Sequence, residues 1–156
     1  MDEKFMDIAI SLAKQALAYD EVPIGAVIVK NGEIIAEAFN KKETTNNAIW
    51  HAEMAAIELA SKKLGNWYLD GCDVYVTLEP CAMCTGALIN ARVNNIYFGA
   101  YDRRFGCCGS LYNLACDKRF NHTISVTGGI KEQECASLLT EFFSEKRKRK
   151  KEKNGE

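Results

Sequence analysis

Residues 73–89 read DVYVTLEPCAMCTGALI, a short strand that passes into a helix at Pro80. Residues 73–78 are rich in β-branched and aromatic side chains, which favour a strand. The fixed φ angle of Pro80 suits the first turn of a helix. The helix also carries Cys81 and Cys84, three residues apart and therefore on one helix face. This stretch predicts a strand–helix unit with two thiols at the start of the helix.

The flanking sequence predicts further helices and strands in alternation. Asn31-Gly32 accepts the positive φ angles of a type I′ turn, so we predict a hairpin over 24–39. Hydrophobic spacing predicts helices over 3–19, 51–64 and 131–150, strands over 93–99 and 123–127, and a long loop over 100–121. This order indicates an α/β domain in which helices cover a mixed sheet. We expect the helices after Asn47 and Pro80 to begin near one edge of that sheet, where α/β sites usually lie.

Composition indicates one globular domain. The chain has 156 residues, of which 47% are hydrophobic and 26% charged, and its formal net charge is −1. These values argue against disorder, and no stretch approaches the 18 apolar residues of a membrane span. Residues 144–156 hold seven Lys/Arg against three Glu, so the rest of the chain is acidic. We predict a domain over 1–145, a basic tail over 146–156, and no membrane partner.

Cysteine usage favours a reducing compartment. The chain has seven cysteines, an odd number, and two of them are adjacent. No secretory signal precedes the first helix, so we predict a cytoplasmic location. Apart from Cys81 and Cys84, we expect the cysteines to be small buried hydrophobes: Cys72, Cys107, Cys108, Cys116 and Cys135.

Cys81, Cys84 and His51 form a candidate metal set. Two thiolates and one imidazole suit zinc and leave a fourth position open for water, which is typical of catalytic rather than structural sites. The two cysteines fall in a first helical turn, where the helix dipole should lower the pKa of each thiol.

Glu53 is the candidate acid and base. Residues i and i+2 do not share a helix side, so His51 and Glu53 can both approach an ion only if the helix meets it end-on. A carboxylate that is not a ligand but lies near a metal-activated water can take its proton and deliver it elsewhere. These groups predict hydrolytic attack on an sp² carbon that bears an amine.

Other functions are compatible with parts of this pattern. A CxxC after a strand also fits a thioredoxin-like redox pair, and a lone histidine is more often structural. A zinc-binding or redox module without hydrolytic activity is therefore the alternative from a different class. A structural zinc ribbon needs a second CxxC, which the sequence lacks.

The H-x-E…P-C-x-x-C pattern of His51–Glu53 and Pro80–Cys84 resembles the signature of zinc-dependent base deaminases. Four further segments are more specific: EVPIGAVIV (21–29), FGAYDRRFGCCGS (98–110), Asn121-His122 and ECASLLTEFF (134–143). With them, the chain resembles the bacterial tRNA-specific adenosine deaminase family from about residue 5 to residue 147.

The resemblance implies a fold, an activity and partners. The expected fold is a three-layer α/β/α sandwich around a central mixed five-stranded sheet. The expected reaction converts adenosine to inosine at the wobble position of a tRNA anticodon, with the arginine tRNA bearing ACG as the usual substrate. The resemblance also implies one Zn²⁺ per subunit, a homodimer that binds the anticodon stem-loop, and no organic cofactor.

The resemblance also assigns roles to residues. His51, Cys81 and Cys84 match the zinc ligands, and Glu53 matches the general acid and base. The residues expected to contact substrate are Asn40 for the nucleoside, Asp102 for the RNA backbone, and Phe143, less surely Phe142, for anticodon-loop nucleotides.

Trp50 departs from the family pattern, which usually has a small residue before the histidine. One interpretation is that the ring turns away and packs against a neighbouring element. The other, which we carry forward, is that it borders the pocket and affects which base fits.

Two further alternatives concern the substrate. The basic tail is either a solvated helix end or a contact with tRNA phosphates. The alternative within the same enzyme class is a deaminase of a free base or nucleotide, such as guanine or cytosine.

Overall fold

The computed structural model describes residues 1–155. Its elements, in chain order, are α1 (Glu3–Ala16), a 3₁₀ turn (Leu17–Tyr19), β1 (Gly25–Lys30), β2 (Glu33–Phe39), α2 (Lys42–Thr45), α3 (Ala52–Leu64), β3 (Cys72–Leu78), α4 (Ala82–Ala91), β4 (Asn95–Ala100), β5 (Ser125–Thr127) and α5 (Glu132–Lys153). The alternation predicted from the sequence is confirmed, except that the short α2 was not anticipated.

The five strands form one mixed sheet in the order β2-β1-β3-β4-β5. β1 pairs antiparallel with both β2 and β3, whereas β3, β4 and β5 run parallel. The β1–β2 connection is the predicted tight turn, because Asn31 and Gly32 have φ angles of 52° and 76°. The predicted mixed five-stranded sheet is confirmed.

The sheet is covered on both faces, as a three-layer sandwich requires. Ala26 and Ile28 of β1 point into a core shared with α3 and α4. The alternate residues Val27 and Val29 point into a second core shared with α1 and α5. Because successive side chains of a strand face opposite ways, one strand supplies both cores.

One cysteine differs from the sequence expectations. Cys116 is exposed rather than buried, because it lies in the loop before β5, where its thiol donates to the Ile124 carbonyl at 3.4 Å. The other four cysteines of that group are buried as predicted, and all seven in the chain are free thiols. The predicted helix over 131–150 is confirmed, since α5 runs unbroken from Glu132 to Lys153 and includes the basic run.

Of the helices within residues 1–155, none is both long and apolar enough to cross a membrane.

Gly25 provides a test of the packing between β1 and α1. A Cβ at this position would overlap the Ala9 carbonyl oxygen and lie 2.8 Å from the Ala13 nitrogen. We expect Gly25→Ala to lower the free energy of unfolding by about 2 kcal/mol, since the layers must separate to admit it. Urea denaturation measures this change.

Gly86→Ala is the matched control, because a Cβ at Gly86 in α4 meets nothing within 4 Å. It should leave stability unchanged or raise it by up to about 1 kcal/mol, since alanine favours a helix. Equal stability of the two variants would contradict close packing of α1 on β1.

Candidate active site

Two helices begin at the same point. His51 is the N-cap of α3 and Cys81 is the N-cap of α4, and both have extended backbone angles. Neither side chain caps its own helix, so both are available for other partners. Their atoms meet, with 3.7 Å between His51 Nδ1 and Cys81 Sγ. The expectation that both helices begin near one edge of the sheet is confirmed.

Cys84, one turn into α4, completes the group. Its Sγ lies 3.5 Å from His51 Nδ1, and the three potential ligand atoms all lie within 4.8 Å of one another. In a tetrahedral site with Zn–S of about 2.3 Å and Zn–N of about 2.0 Å, sulfur and nitrogen ligands are about 3.5 Å apart. The donor set and its spacing therefore fit zinc.

The two thiols shift each other's pKa in opposite directions. Hydrogen bonds from Cys84 and then from His51 lower the pKa of Cys81 to about 4. The hydrogen bond to the Cys81 sulfur, together with burial, raises the pKa of Cys84. The expected lowering therefore holds for Cys81 and not for Cys84. The pKa of His51 is raised, chiefly by its hydrogen bond to Cys81.

Glu53 lies in the first turn of α3 and is 5% exposed. Burial raises the pKa of its carboxyl to about 7, and the negative charge of Cys81 adds to this shift. A carboxyl with a pKa near neutrality can both accept and donate a proton at physiological pH. The geometry thus puts an acid–base group beside the candidate metal ligands, reached end-on by α3.

A cavity of about 640 Å³ opens onto this group. Its lining includes six of the eight residues predicted for the site: Asn40, His51, Glu53, Cys81, Asp102 and Phe143. Cys84 is fully buried beside His51 rather than on the cavity lining. The inner lining is buried, whereas Phe143 is 41% exposed, so the cavity leads from solvent to the acid–base group.

The three predicted substrate contacts come from different elements. Asn40 follows β2 and is buried, with its side-chain amide donating to the Val22 carbonyl at 3.4 Å. Asp102 lies in the loop after β4, and its Oδ1 accepts the Arg104 amide at 3.0 Å. Phe143 lies on α5. Phe142, the less certain aromatic, is buried against Phe143 with ring centroids 5.3 Å apart and is not among the cavity-lining residues.

Trp50 is the predicted site residue that neither lines this cavity nor belongs to the metal-ligand group. Its ring packs against the core beneath α3 and lines a separate cavity of about 420 Å³ with Phe39 and Leu59. Its Nε1 is buried without a hydrogen-bond partner among residues 1–155. The arrangement corresponds to the alternative in which the ring turns away from the ligand, because the core offers it apolar contacts.

Several lining residues had no signal that singled them out. Val22, Ile24 and Leu139 form apolar walls, and a single hydrophobic residue in a sequence does not reveal which cavity it faces. Glu79 also lines the cavity and is 2% exposed. The sequence did contain one sign of this residue's importance. Glu79 is a charged residue at the end of a buried strand, directly before the metal-ligand segment, and a buried charge needs hydrogen-bond partners inside the protein.

The family comparison agrees with this geometry. Residues 1–100 match the family model of the cytidine and deoxycytidylate deaminase zinc-binding region. The match includes the three candidate metal ligands and Glu53.

Individual relatives are similar over most of the chain. A tRNA-specific adenosine deaminase of Bacillus subtilis (strain 168) is 53% identical over 150 residues, which cover 96% of this chain and 93% of that protein. A structure from work on A-to-I editing by tRNA:A34 deaminases at the wobble position has a TM-score of 0.85 and 40% identity, covering 88% of this chain and 100% of its own.

A Bacillus subtilis guanine deaminase is similar over a smaller part, with a TM-score of 0.63 and 44% identity over 65% of this chain and 66% of its own. The near-complete coverage by the tRNA deaminases, together with the site geometry, decides the assignment. The chain belongs to the tRNA-specific adenosine deaminase family, within the cytidine and deoxycytidylate deaminase zinc-binding proteins.

Proposed function

We propose that this protein deaminates adenosine to inosine at the wobble position of a tRNA anticodon. The observation that carries the proposal is one cavity whose inner end is lined by His51, Cys81 and Glu53, with Cys84 buried beside His51, while Arg103, Arg104 and Phe105 are exposed at the other end. A buried acid–base group suits hydrolysis, and an exposed basic and aromatic border suits a nucleic acid.

One zinc ion per chain, held by His51, Cys81 and Cys84, is the cofactor that we propose. The spacing of the three donor atoms supports it, as does the presence of two thiols, which favour zinc over harder cations. When bound, the ion supplies Lewis-acid activation of water.

Glu53 moves the protons. Water adds to C6 of the adenine ring and ammonia leaves, so the product is hypoxanthine. Glu53 accepts a proton from the water and gives it to N1, and it then carries the remaining proton of that water, now on the C6 hydroxyl, to the leaving amine. The pKa of about 7 suits both directions of transfer, because neither protonation state is strongly favoured at neutral pH.

The cavity requires an unpaired base. Glu53 is 95% shielded from solvent at the inner end, so C6 can reach it only if the nucleotide leaves the stack. Anticodon loops already present unpaired bases, which lowers that cost. We assign Asn40 to the nucleoside, Asp102 to the RNA backbone and Phe143 to a neighbouring base, in line with their places on the cavity lining.

Finer features rest on the family resemblance and on surface character. We propose the arginine tRNA with an ACG anticodon as substrate and a homodimer as the working unit. Leu111 and Tyr112 support the dimer, because they are exposed and line a shallow depression of about 510 Å³ that includes Cys81. The seven free thiols support a reducing, cytoplasmic location.

The similarity to a guanine deaminase favours a second candidate, deamination of a free base. We expect kcat/KM for an ACG anticodon stem-loop to exceed that for free adenosine, guanine or cytosine by about 100-fold or more, because only the RNA can engage the border. Ammonia release measures both reactions. A stem-loop with guanosine at the wobble position is the control substrate and should yield none. Faster turnover of free guanine would instead establish the second candidate.

Glu53→Ala separates catalysis from metal binding. It should retain zinc and reduce kcat by about 10²–10⁴-fold, because the proton carrier is lost while the three ligands remain. Metal content by elemental analysis and ammonia release are the two measurements. His51→Ala should lose zinc as well as activity.

Glu58→Ala is the matched control, since Glu58 is an exposed acid on the same helix, paired only with Lys62 at 3.1 Å. It should keep both zinc and turnover. Retained turnover in Glu53→Ala would contradict the acid–base role and point to a binding module.

The basic end of α5 extends from Phe143, and at about 1.5 Å per residue it reaches about 15 Å beyond it. Deleting residues 146–153 should weaken stem-loop binding and reduce the slope of log Kd against log[salt] by about 2 or more, because fewer counterions are released. Titration at several salt concentrations measures the slope. A variant with glutamine at the seven basic positions should show the same loss of slope as the deletion. An unchanged slope in both variants would mean that this end of α5 is solvated and does not contact RNA.

A further inference from the structure

Glu79 is a buried carboxylate that the proposed reaction does not use. It follows β3 and directly precedes Pro80 and the metal-ligand segment, and its own amide donates to the Ala100 carbonyl at 2.8 Å. Its side chain is only 2% exposed. A buried charge is costly unless other groups satisfy it, so the partners of this carboxylate indicate its role.

All of its partners lie in one loop. Oε1 accepts the Asp102 amide at 3.1 Å and the Ser110 hydroxyl, while Oε2 accepts the Cys108 amide at 3.1 Å and the Ser110 amide at 3.0 Å. Each carboxylate oxygen has about two acceptor positions, so four donors fill the group. Glu79 therefore has little capacity left to bind a substrate or an ion itself.

The loop is shaped to receive this carboxylate. A Cβ at Gly106 would overlap the Glu79 carboxyl group and the Asp102 carbonyl oxygen, so only glycine permits this approach. The loop is also tied to the ligand segment directly, because the Cys107 amide donates to the Pro80 carbonyl at 2.9 Å. The segment from 102 to 110 and the start of α4 are thus joined around one acidic side chain.

This loop carries the exposed border of the cavity. Asp102, which is itself a donor to Glu79, lines the cavity, as do Arg103, Arg104 and Phe105, which lie between it and the next donor, Cys108. A free loop of this length has to lose conformational entropy on binding RNA, whereas a loop held in place has already lost it. The position of the border relative to His51 and Cys81 depends on the same contacts.

We propose that Glu79 is a positioning residue for substrate recognition: its carboxylate holds the 102–110 loop in the conformation that binds RNA, at a fixed place beside the metal ligands. The inference rests on the proposed function for its substrate, but not for the loop contacts themselves.

Glu79→Gln tests the proposal. Glutamine keeps the size of the side chain but replaces one oxygen by an NH₂ group, which then faces hydrogen-bond donors. We expect KM for the anticodon stem-loop to rise about tenfold with kcat within about threefold of wild type, which is the signature of lost uniform binding. Zinc content should be unchanged, and amide hydrogen exchange should accelerate in residues 102–110.

Glu21→Gln is the matched control. Glu21 is also fully buried, and its carboxylate accepts the amides of Glu43 and Thr44 at 3.0 and 2.6 Å, in a different segment. Hydrogen exchange in this variant should accelerate near residues 43–44 and stay at the wild-type rate in 102–110. This pattern separates a specific effect of Glu79 from a general loss of stability.

Ser110→Ala is a milder variant that removes only the hydroxyl donor, and it decides the question should Glu79→Gln not fold. It should raise KM by about two- to threefold and accelerate exchange in 102–110 to a smaller extent. The proposal is overturned by wild-type exchange in 102–110, by an unchanged KM despite faster exchange, or by loss of zinc in Glu79→Gln. Failure of wild-type protein to deaminate the stem-loop would refute the proposed function, while hydrogen exchange would still decide whether Glu79 holds the loop.

Discussion

The meeting of two helix N-termini is the constraint on which the site depends. α3 and α4 pack on the same face of the sheet and begin at one end of it, which brings His51 Nδ1 to 3.7 Å from Cys81 Sγ. Because each side chain lies at an N-cap position, it projects beyond its helix rather than along a flank. The same end-on approach of α3 brings Glu53 alongside without making it a ligand. The candidate metal ligands and the acid–base group therefore lie together because of one packing arrangement.

Three carboxylates are buried within residues 1–155, two of which, Glu53 and Glu79, line the cavity, and their surroundings give them different chemistry. Glu79 and Glu21 each accept backbone amides from a neighbouring segment, so their charges are satisfied by fixed donors. Glu53 lies beside His51 and the two thiols, and burial raises its pKa to about 7. A carboxylate whose oxygens all accept hydrogen bonds holds neighbouring segments in place, whereas a carboxyl group with a pKa near 7 can transfer protons at neutral pH. All three residues are glutamates, and the hydrogen-bond donors around each carboxylate determine whether it holds a segment or transfers protons.

The surroundings of the cavity link this chemistry to a large substrate. The basic and aromatic side chains at its exposed end belong to a loop that is joined to the ligand segment by Glu79 and by the Cys107–Pro80 hydrogen bond. Recognition and catalysis are thereby built on adjoining backbone, and loosening the loop is expected to weaken RNA binding more than turnover. The opposite wall, with Asn40 held by Val22, is a separate segment that follows β2.

The sequence by itself determined the alternating helices and strands, through their hydrophobic periodicity, and the hairpin turn, through the Asn31-Gly32 pair. It also determined the two cysteine ligands, through the spacing of Cys81 and Cys84, because all three signals are local properties. Motifs quoted from the chain were enough to identify its family. Only the tertiary structure decided that the Trp50 ring turns away from the metal ligands and that Cys116 is exposed. It also decided that the pKa of Cys84 is raised and that the Glu79 carboxylate bonds the 102–110 loop. These outcomes depend on contacts between residues far apart in the chain, and a side chain's neighbours across the fold are not encoded in its local pattern.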